Sequence, residues 1–344
     1  MADGIDIGIV GLGKMGIAHL AILSALEGAS VKAVAEKQGL IKKGIGTVLN
    51  GVRIYDGYQE MLSVEHLDAV FITAPTSLHV GIARDCLDRG ISFFVEKPLG
   101  VSAGECEALV ARASGGRPIT MVGYCKHFLE TFEKARGLLA GGELGKPLYM
   151  SSHMYVSQLF SKGSGWRYKK ASSGGGVLNI LATHLVDVLT WFFGDVASVS
   201  CAMKSHYSSE VEDFVHAYLD FESGLSGSLD ASWSIRGYRL PEINVQVQCE
   251  NGMLAVTEDY VRYTLDSDER WRVLYKQDLY TGVPVCVGGA EYTREDAEFI
   301  RCVRDGTSPE LDVAYGYKVQ CVTDAMYESA RTGRTLPVER KALA

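Results

Sequence analysis

The chain has 344 residues, a formal net charge of −8 at pH 7 and 22% charged residues. This length suffices for two domains, and the composition is that of an ordinary soluble globular protein. The net acidity argues against a nucleic-acid-binding surface, which needs clustered Lys and Arg to neutralise phosphates. The sequence contains no basic amphipathic segment of the kind that binds a membrane surface. We predict no metal site.

The N-terminus and the cysteines favour a cytoplasmic protein. The first residues contain no positively charged, apolar segment of the signal-peptide type. The eight cysteines are scattered without a Cys-x-x-Cys pair, so we expect them to be small buried apolar residues in a reducing compartment, although disulfides stay possible. The apolar run 177–193 is interrupted by Asn179, His184 and Asp187, so we expect a core helix and not a membrane span.

The first element is a short apolar strand, Ile5–Val10, followed at once by a glycine motif and a helical pattern. The first glycine permits a tight turn, the second lets the backbone approach a pyrophosphate, and the third lets the helix pack on the strand. The helix N-terminus offers N–H groups to the phosphates. The cofactor-binding residues predicted here are Gly11, Gly13, Lys14, Met15 and Gly16.

An acidic residue follows the second strand, residues 31–35. Glu36 stands at the position from which a carboxylate accepts hydrogen bonds from the ribose hydroxyls of NAD. It would repel the 2′-phosphate of NADP, so the sequence favours NAD. Lys37 could neutralise that phosphate, which leaves NADP as the less favoured cofactor.

Strands and helices continue to alternate, with further strands at residues 52–55, 68–73, 92–96 and 119–122. This alternation predicts a doubly wound parallel sheet, the Rossmann fold, in an α/β protein. Turn residues Thr73, Pro75 and Thr76 end one strand, either as ordinary turn chemistry or as the lining of the nicotinamide side. His79 follows on a helix, as a packing residue or as a cofactor contact.

The strand at 92–96 ends abruptly in Glu96-Lys97-Pro98. A strand that ends at this motif places Lys97 at the carboxyl edge of the sheet, where open α/β sheets bind their ligands. Lys97 would then lie beside the nicotinamide, with Glu96 close to the cofactor. The alternative is a structural ion pair between Lys97 and Glu96 or another carboxylate.

After residue 124 the sequence changes to apolar residues at every second position, which is typical of half-buried strands. The predicted strands are residues 148–156, 196–204, 214–221, 224–234, 243–249, 252–257 and 261–265. Asn251-Gly252 indicates a hairpin turn. Two helices, residues 294–304 and 313–332, close the chain.

These motifs together resemble the Gfo/Idh/MocA oxidoreductases, the glucose–fructose oxidoreductase and inositol dehydrogenase group. The resemblance spans nearly the whole chain, although each motif is short. It is carried by Gly11-x-Gly13-x-x-Gly16, Thr73-x-Pro75-x-x-x-His79, Glu96-Lys97-Pro98, Gly123-Tyr124, Gly174-Gly175-Gly176, His184-x-x-Asp187, Phe299-x-x-x-Val303-Arg304-Asp305-Gly306 and Ser329-Ala330-x-x-Gly333.

The resemblance implies an NAD-binding Rossmann domain at 1–124 and a substrate-binding and oligomerisation domain at 125–344. The second domain would be an α/β domain built on a large, mostly antiparallel sheet that joins subunits into a homodimer or homotetramer. The implied activity is NAD(P)-dependent hydride transfer between the nicotinamide and a secondary alcohol of a sugar, cyclitol or sugar derivative. Lys97 and His184 would handle the proton.

One position departs from the family pattern. A helix beginning near Val177 places residue 180 one turn before His184, where the family usually has an Asp, and here that residue is Ile180. Asn179 is adjacent but lies about 100° round an ordinary α-helix. Proton transfer must then rest on Lys97, His184 or a water. Alternatively, the chain is a catalytically silent NAD-binding regulatory protein of the same fold.

A cationic, aromatic segment, residues 165–170, falls where the resemblance implies substrate contacts. A sugar ring would pack on Trp166 or Tyr168, and Arg167 or Lys169 could hold a carboxylate or phosphate. This would suit an already oxidised or nucleotide-linked sugar, whereas the simpler interpretation is an exposed basic loop. Weaker substrate contacts are predicted at Tyr155, Asn179 and Thr183, and Asp187 is expected to be structural.

Overall fold

The computed structural model describes residues 4–39 and 51–341, which form two sheets. The first sheet has six parallel strands in the order β3-β2-β1-β4-β5-β6. The order reverses between β1 and β4, which is where doubly wound folds bind a nucleotide. The strands are β1 (Ile5–Val10), β2 (Ala29–Ala35), β3 (Arg53–Tyr55), β4 (Ala69–Ile72), β5 (Ser92–Glu96) and β6 (Thr120–Gly123). The predicted Rossmann fold is confirmed.

The central strands of this sheet are buried on both faces. Every residue of β4 and β5 is buried, because helices cover the two sides of a parallel sheet. Their apolar runs follow from this burial, and Phe71 and Phe94 stack with ring centroids 4.8 Å apart. The helices that belong to this part of the chain are α1 (Lys14–Leu23), α2 (Tyr58–Val64), α3 (His79–Asp88) and α4 (Ala103–Ala113).

The second sheet has nine strands in the order β14-β13-β12-β11-β7-β10-β9-β8-β15. Neighbouring strands are antiparallel except for the parallel pair β7 and β10, so the mostly antiparallel sheet is confirmed. The strands are β7 (Pro147–Tyr155), β8 (Val196–Lys204), β9 (Phe214–Phe221), β10 (Ser226–Ser232), β11 (Glu242–Cys249), β12 (Gly252–Thr257), β13 (Tyr260–Leu265), β14 (Asp268–Tyr275) and β15 (Leu336–Pro337).

Burial alternates along these strands, as expected of a sheet with one covered face. In β7, Met150, Ser152 and Met154 are buried, whereas the alternate residues Ser151, His153 and Tyr155 are partly exposed. The predicted hairpin forms one residue earlier than expected. Glu250 and Asn251 are its two turn residues, because Cys249 pairs with Gly252.

Helices complete the remainder of the chain. They are α5 (Glu130–Ala140), α6 (Lys170–Ser173), α7 (Thr183–Phe193), α8 (Lys276–Leu279), α9 (Ala290–Asp305) and α10 (Val313–Thr332), with a π-helical turn at Leu178–Ala182. The helical stretch Lys170–Phe193 has the length and hydropathy of a membrane span, but 78% of its most apolar window is buried inside the protein. Such burial is that of a core helix.

The structure divides the chain into two compact units. The first contains the described residues up to Cys125 together with Gly282–Tyr317, and the second contains Lys126–Thr281 and Lys318–Lys341. The sequence prediction assigned all of 125–344 to one domain. The difference arises because α9 packs against α1, and its Phe299 ring contacts Phe71 and Phe94 at centroid distances of 5.3 and 5.9 Å.

The cysteines are mostly core residues. Six of the eight are buried, Cys201 is partly buried and Cys286 is exposed. The exposed thiol of Cys286 departs from the expectation that all of them act as small buried apolar groups.

Candidate active site

The glycine loop between β1 and α1 has two glycines that the chain itself requires. A Cβ at Gly11, where φ is +92°, would lie 2.9 Å from Cα of Ala74. A Cβ at Gly16 would lie 2.0 Å from the carbonyl oxygen of Gly11. A Cβ at Gly13 would meet nothing within 4 Å, so this position leaves open space for a ligand. The loop therefore fits a pyrophosphate, with the first N–H groups of α1 directed at it.

The carboxylate of Glu36 holds the glycine loop from the end of β2. It accepts hydrogen bonds from the N–H of Leu12 at 2.7 Å and from that of Gln38 at 2.8 Å. Glu36 is only 8% exposed. Each carboxylate oxygen can accept more than one hydrogen bond, so the side chain retains acceptor capacity for ribose hydroxyls. The position is the one predicted, but the contacts with the loop itself were not foreseen.

The turn after β4 is tied to the glycine loop. The hydroxyl of Thr73 donates a hydrogen bond to the carbonyl oxygen of Gly11 at 2.5 Å and also lies 3.2 Å from the carbonyl oxygen of Val10. Pro75 is partly exposed, and the buried Thr76 begins a short 3₁₀ helix, Thr76–Leu78. The end of β4 thereby lies beside the end of β1, which brings these turn residues to the edge predicted to bind the nicotinamide.

His79 joins two of the predicted motifs. One ring nitrogen, Nε2, contacts the carbonyl oxygen of Ala74 at 2.8 Å, and the other, Nδ1, contacts that of Pro98 at 2.9 Å. Burial lowers the pKa of His79, and a neutral ring donates to only one of these carbonyls at a time. These contacts are those of a packing residue that fixes the turns after β4 and β5.

A buried ionic cluster underlies the end of β5, and the sequence prediction missed it. His19 of α1 contacts Asp296 of α9 through Nδ1 at 2.8 Å and Glu96 through Nε2 at 3.1 Å. Burial alone would lower the pKa of His19, but the two carboxylates raise it well above its ordinary value. Burial raises the pKa of Glu96, yet the hydrogen bond and charge of His19 outweigh this and leave it lowered.

Lys97 follows Glu96 at the carboxyl end of β5. Its backbone N–H donates to the Glu96 carboxylate at 3.2 Å, and the Lys97–Pro98 peptide bond is cis. The side chain is partly buried, and its charge contributes to lowering the pKa of Glu96. The structure therefore places Lys97 at the edge where β1, β4 and β5 end side by side, as predicted.

In the second unit, the glycine run is required by the chain's own packing. Gly174 ends α6 in the left-handed conformation, with φ of +77°. A Cβ at Gly175 would lie 1.8 Å from the hydroxyl of Tyr327, and a Cβ at Gly176 would lie 2.1 Å from the carbonyl oxygen of Glu212. The close approach expected at these glycines is thus made by Tyr327 and Glu212.

Glu212 anchors the segment that leads to His184. Its carboxylate accepts hydrogen bonds from the N–H of Gly176 at 2.8 Å, the N–H of Leu178 at 2.9 Å and the hydroxyl of Tyr327 at 2.8 Å. Burial raises the pKa of Glu212, although these donors oppose the shift. Sequence reasoning missed this residue, because nothing in the spacing of residues 176 and 212 indicates their contact.

The helix bearing His184 begins with a π-helical turn, Leu178–Ala182, and the expectation of ordinary α-helical geometry from Val177 is therefore wrong over this turn. The wider turn changes which side chains face His184. Asn179 is fully buried, with its amide donating to the carbonyl oxygen of Ser173 at 2.6 Å and its oxygen accepting from Gln320 at 3.4 Å. Ile180 is partly exposed, Thr183 is buried and His184 is 8% exposed.

Asp187 lies in the interior of the second unit. It is fully buried and contacts Nε2 of His127 at 2.8 Å. The ring of His127 stacks on Trp191 with centroids 3.9 Å apart, and the guanidinium of Arg136 lies 4.7 Å above the same indole. These are the contacts of a structural residue.

The aromatic and cationic segment forms a short 3₁₀ helix, Trp166–Tyr168. Tyr168 packs on the buried Trp233 with centroids 5.2 Å apart, so its ring is part of the local packing. The Arg167 guanidinium lies 5.6 Å from the Trp166 ring centroid, and Lys169 is exposed.

Tyr155 is placed on the open face of the nine-stranded sheet. Successive strand residues point to opposite faces, and its neighbour Met154 is buried on the covered face. The Tyr155 ring stacks on His153 at 4.5 Å and contacts Tyr238 at 5.3 Å. The structure therefore does not bring Tyr155 together with Asn179, Thr183 and His184.

The parallel sheet with this glycine loop, and with a carboxylate after β2, defines a dinucleotide-binding domain of the Rossmann class. The sequence profile described as "Oxidoreductase family, NAD-binding Rossmann fold" matches residues 5–124, and that of the "GFO/IDH/MocA C-terminal domain" matches residues 132–255. Together they cover more than two thirds of the chain. The chain belongs to the Gfo/Idh/MocA oxidoreductase family, as the motifs predicted.

The relatives that match most of the chain include two named as sugar dehydrogenases. D-apiose dehydrogenase of Paraburkholderia graminis is 25% identical, over 97% of this chain and 89% of the relative. D-xylose 1-dehydrogenase (NADP(+)) 2 of Haloferax volcanii is also 25% identical, over 95% of this chain and 98% of the relative. The solved structure of levoglucosan dehydrogenase in complex with NADH and levoglucosan has a TM-score of 0.88 at 20% identity, covering 98% of this chain and all of that chain.

Proposed function

We propose that the protein is an NAD-dependent dehydrogenase that oxidises a secondary alcohol of a sugar, cyclitol or sugar derivative. The observation that carries the proposal is the convergence of the Gly11–Gly16 loop, the Thr73 turn and Lys97 at one edge of the parallel sheet. The relatives named as apiose and xylose dehydrogenases support a sugar as the substrate.

Oxidising an alcohol removes a hydride from carbon and a proton from oxygen. Bound NAD supplies the hydride acceptor. The chain supplies a proton acceptor, and we assign this role to the Nζ atom of Lys97, with the imidazole of His184 holding or relaying the proton. In balance, alcohol and NAD⁺ give ketone or lactone, NADH and a proton that leaves through these groups to solvent.

Ile180 makes the proton path different from the usual one in the family. An aliphatic side chain neither accepts nor donates a proton, so the path depends on Lys97, His184 or a water. The same residue favours a second candidate function, a catalytically silent NAD-binding regulatory protein of this fold. The retention of both Lys97 and His184 supports the enzyme.

We assign NAD as the preferred cofactor because of Glu36. Its buried carboxylate stands at the end of β2 beside the glycine loop, where a 2′-phosphate would be repelled. The relative named as an NADP(+)-dependent xylose dehydrogenase shows that cofactor preference must be measured in this chain.

Substrate contacts are proposed at Trp166, Arg167, Thr183 and His184. The exposed Arg167 and Lys169 could pair with a carboxylate or phosphate, which supports testing oxidised and nucleotide-linked sugars. Asn179 gains no support as a substrate contact, because its amide pairs with Ser173 and Gln320.

We further propose a cytoplasmic homodimer or homotetramer that assembles through the open face of the nine-stranded sheet. Tyr149 of β7 and Tyr218 of β9 are 48% and 43% exposed there. Light scattering coupled to size exclusion should give a multimer, and a Tyr149→Asp variant should shift it toward the monomer. A monomeric native chain would contradict this assignment.

The test of function is a substrate panel with the purified chain. We would follow reduced-cofactor absorbance with NAD and with NADP on aldoses, inositols, uronic acids and nucleotide sugars, and measure cofactor binding separately. Turnover with at least one polyol and NAD supports the dehydrogenase. NAD binding without turnover on any member of the panel favours the regulatory protein. Preference for NADP would contradict the role of Glu36.

A further inference from the structure

We infer that His19 is a positioning residue for Lys97. Held as an imidazolium between Asp296 and Glu96, it fixes the Glu96 carboxylate that receives the backbone N–H of Lys97. The inference rests on the proposed catalytic role of Lys97.

The contacts of the ring require its protonation. Nδ1 lies 2.8 and 3.0 Å from the two carboxylate oxygens of Asp296, and Nε2 lies 3.1 Å from one oxygen of Glu96. Ionised carboxylates only accept hydrogen bonds, so both ring nitrogens must donate, and this occurs only in the imidazolium. Burial raises the pKa of Asp296, although the charge and hydrogen bond of His19 oppose the shift, so the imidazolium requires that Asp296 and Glu96 both be ionised.

The surroundings make this cluster rigid. His19 and Asp296 are fully buried, and the imidazole lies 5.5 and 5.1 Å from the ring centroids of Phe71 and Phe94. A buried ionic contact is electrostatically stronger than an exposed one, and it is costly to break when one partner is removed. The Glu96 carboxylate therefore has one strongly favoured orientation.

That orientation sets the backbone at Lys97. One carboxylate oxygen of Glu96 faces His19, and the other accepts the Lys97 N–H at 3.2 Å. On the far side of Lys97, the carbonyl oxygen of Pro98 contacts His79 at 2.9 Å. The backbone from which the lysine side chain extends is thus held before and after the residue.

The cluster also joins this lysine to the nucleotide site. His19 is carried by α1, the helix that starts immediately after the glycine loop at Lys14. A shift of Glu96 relative to α1 would change the position of Lys97 relative to the glycine loop that is proposed to bind the pyrophosphate. His19 therefore fixes the position of Lys97, the proposed proton acceptor, relative to the cofactor-binding helix α1. A positioning error of this kind lowers turnover with little effect on cofactor affinity.

The test compares His19→Gln, Glu96→Gln and their combination with a control, Thr293→Val. The control removes another side-chain hydrogen bond of α9, the partly buried 2.7 Å bond from the hydroxyl of Thr293 to the carbonyl oxygen of Val285. Turnover is expressed per NAD-binding site, measured by titration, so that unfolded protein does not count. Each single variant should lower kcat at least about tenfold with the NAD dissociation constant within about threefold, and the control should keep kcat.

The double variant should lose no more kcat than the more impaired single variant, because both residues act through one contact. An unchanged kcat per binding site in His19→Gln, or additive losses in the double variant, would overturn the inference. If His19→Gln does not fold, an unchanged kcat in Glu96→Gln overturns it alone, and a tenfold loss there supports it. Full turnover in Lys97→Ala would instead refute the catalytic role of Lys97 on which the inference rests, which separates the two failures.

Discussion

The hydroxyl of Tyr327 donates a 2.8 Å hydrogen bond to the carboxylate of Glu212, 115 residues away in sequence. The same carboxylate receives the N–H groups of Gly176 and Leu178, where the π-helical turn begins. The position of the His184 helix therefore depends on a buried acid and on the C-terminal helix α10. Both lie far from the motif that identified the site.

Replacing Glu212 with Gln should destabilise this segment. The amide keeps the size of the side chain but sets an NH₂ group against a backbone N–H, leaving a buried donor unpaired. We expect a loss of about 1–3 kcal/mol in the free energy of unfolding, against about 1 kcal/mol for Tyr327→Phe. Chemical denaturation of the three proteins measures both values. Equal stability of Glu212→Gln and the native protein would show that the anchor is dispensable.

The glycine loop allows a matched pair of substitutions. Gly13→Ala adds a methyl group that meets nothing in the chain within 4 Å, whereas Gly16→Ala sets it 2.0 Å from a carbonyl oxygen. Gly13→Ala should keep the melting temperature and weaken NAD binding at least about tenfold, because the methyl occupies the pyrophosphate space. Gly16→Ala should lower the melting temperature. Calorimetric titration measures the NAD affinity, and thermal unfolding measures the melting temperature. Native NAD affinity in Gly13→Ala would contradict the proposal that the glycine loop binds the pyrophosphate.

Glu36→Ser should weaken NAD binding and reduce the preference for NAD over NADP. Two effects combine, since the ribose acceptor is lost and the N–H groups of Leu12 and Gln38 lose their carboxylate. The affinity for NADP should therefore rise little even without the repelling charge. Dissociation constants for both cofactors measure this, with Lys37→Ala as the neighbouring control. A variant that binds NADP as tightly as the native protein binds NAD would show that the carboxylate has no part in shaping the loop.

The His19 cluster predicts a pH dependence of stability. The pKa of His19 is raised in the folded protein, so its stabilisation is complete below the unfolded value of about 6.5. It is lost as the pH rises through the folded pKa. The free energy of unfolding should thus decline above about pH 6.5, and this decline should be weaker in His19→Gln. Denaturant titrations between about pH 6 and 9 measure both slopes, and parallel slopes would contradict the assignment.

The parallel sheet was predictable because its strands are buried on both faces. Burial of all residues in β4 and β5 demands continuous apolar runs, and these are visible in the sequence. Strand β14 was not predicted, because Asp268–Tyr275 is a sheet edge rich in charged residues and shows no clear alternation. Helices α2 and α5 were missed for lack of strong start and stop signals.

The site residues that belong to short, continuous sequence motifs were predictable. The glycine motif, Glu36 and Lys97 follow directly from their strands, and the structure places them at one sheet edge. The contacts of His19 with Asp296 and of Glu212 with Gly176 join residues 277 and 36 positions apart, and sequence spacing does not encode them. A histidine on the apolar side of α1 was the one available signal, since a buried imidazole needs partners.

The most direct test of the proposed chemistry is the turnover of Lys97→Ala on a substrate that the native protein oxidises. Removing the side-chain amine of Lys97, which accepts the proton in its neutral form, eliminates the proposed proton acceptor while leaving the glycine loop and Glu36 in place. We expect kcat to fall by about 10²–10⁴-fold with the NAD dissociation constant within about threefold of the native value. A variant that retains native kcat would exclude Lys97 from the reaction and contradict the proposed mechanism.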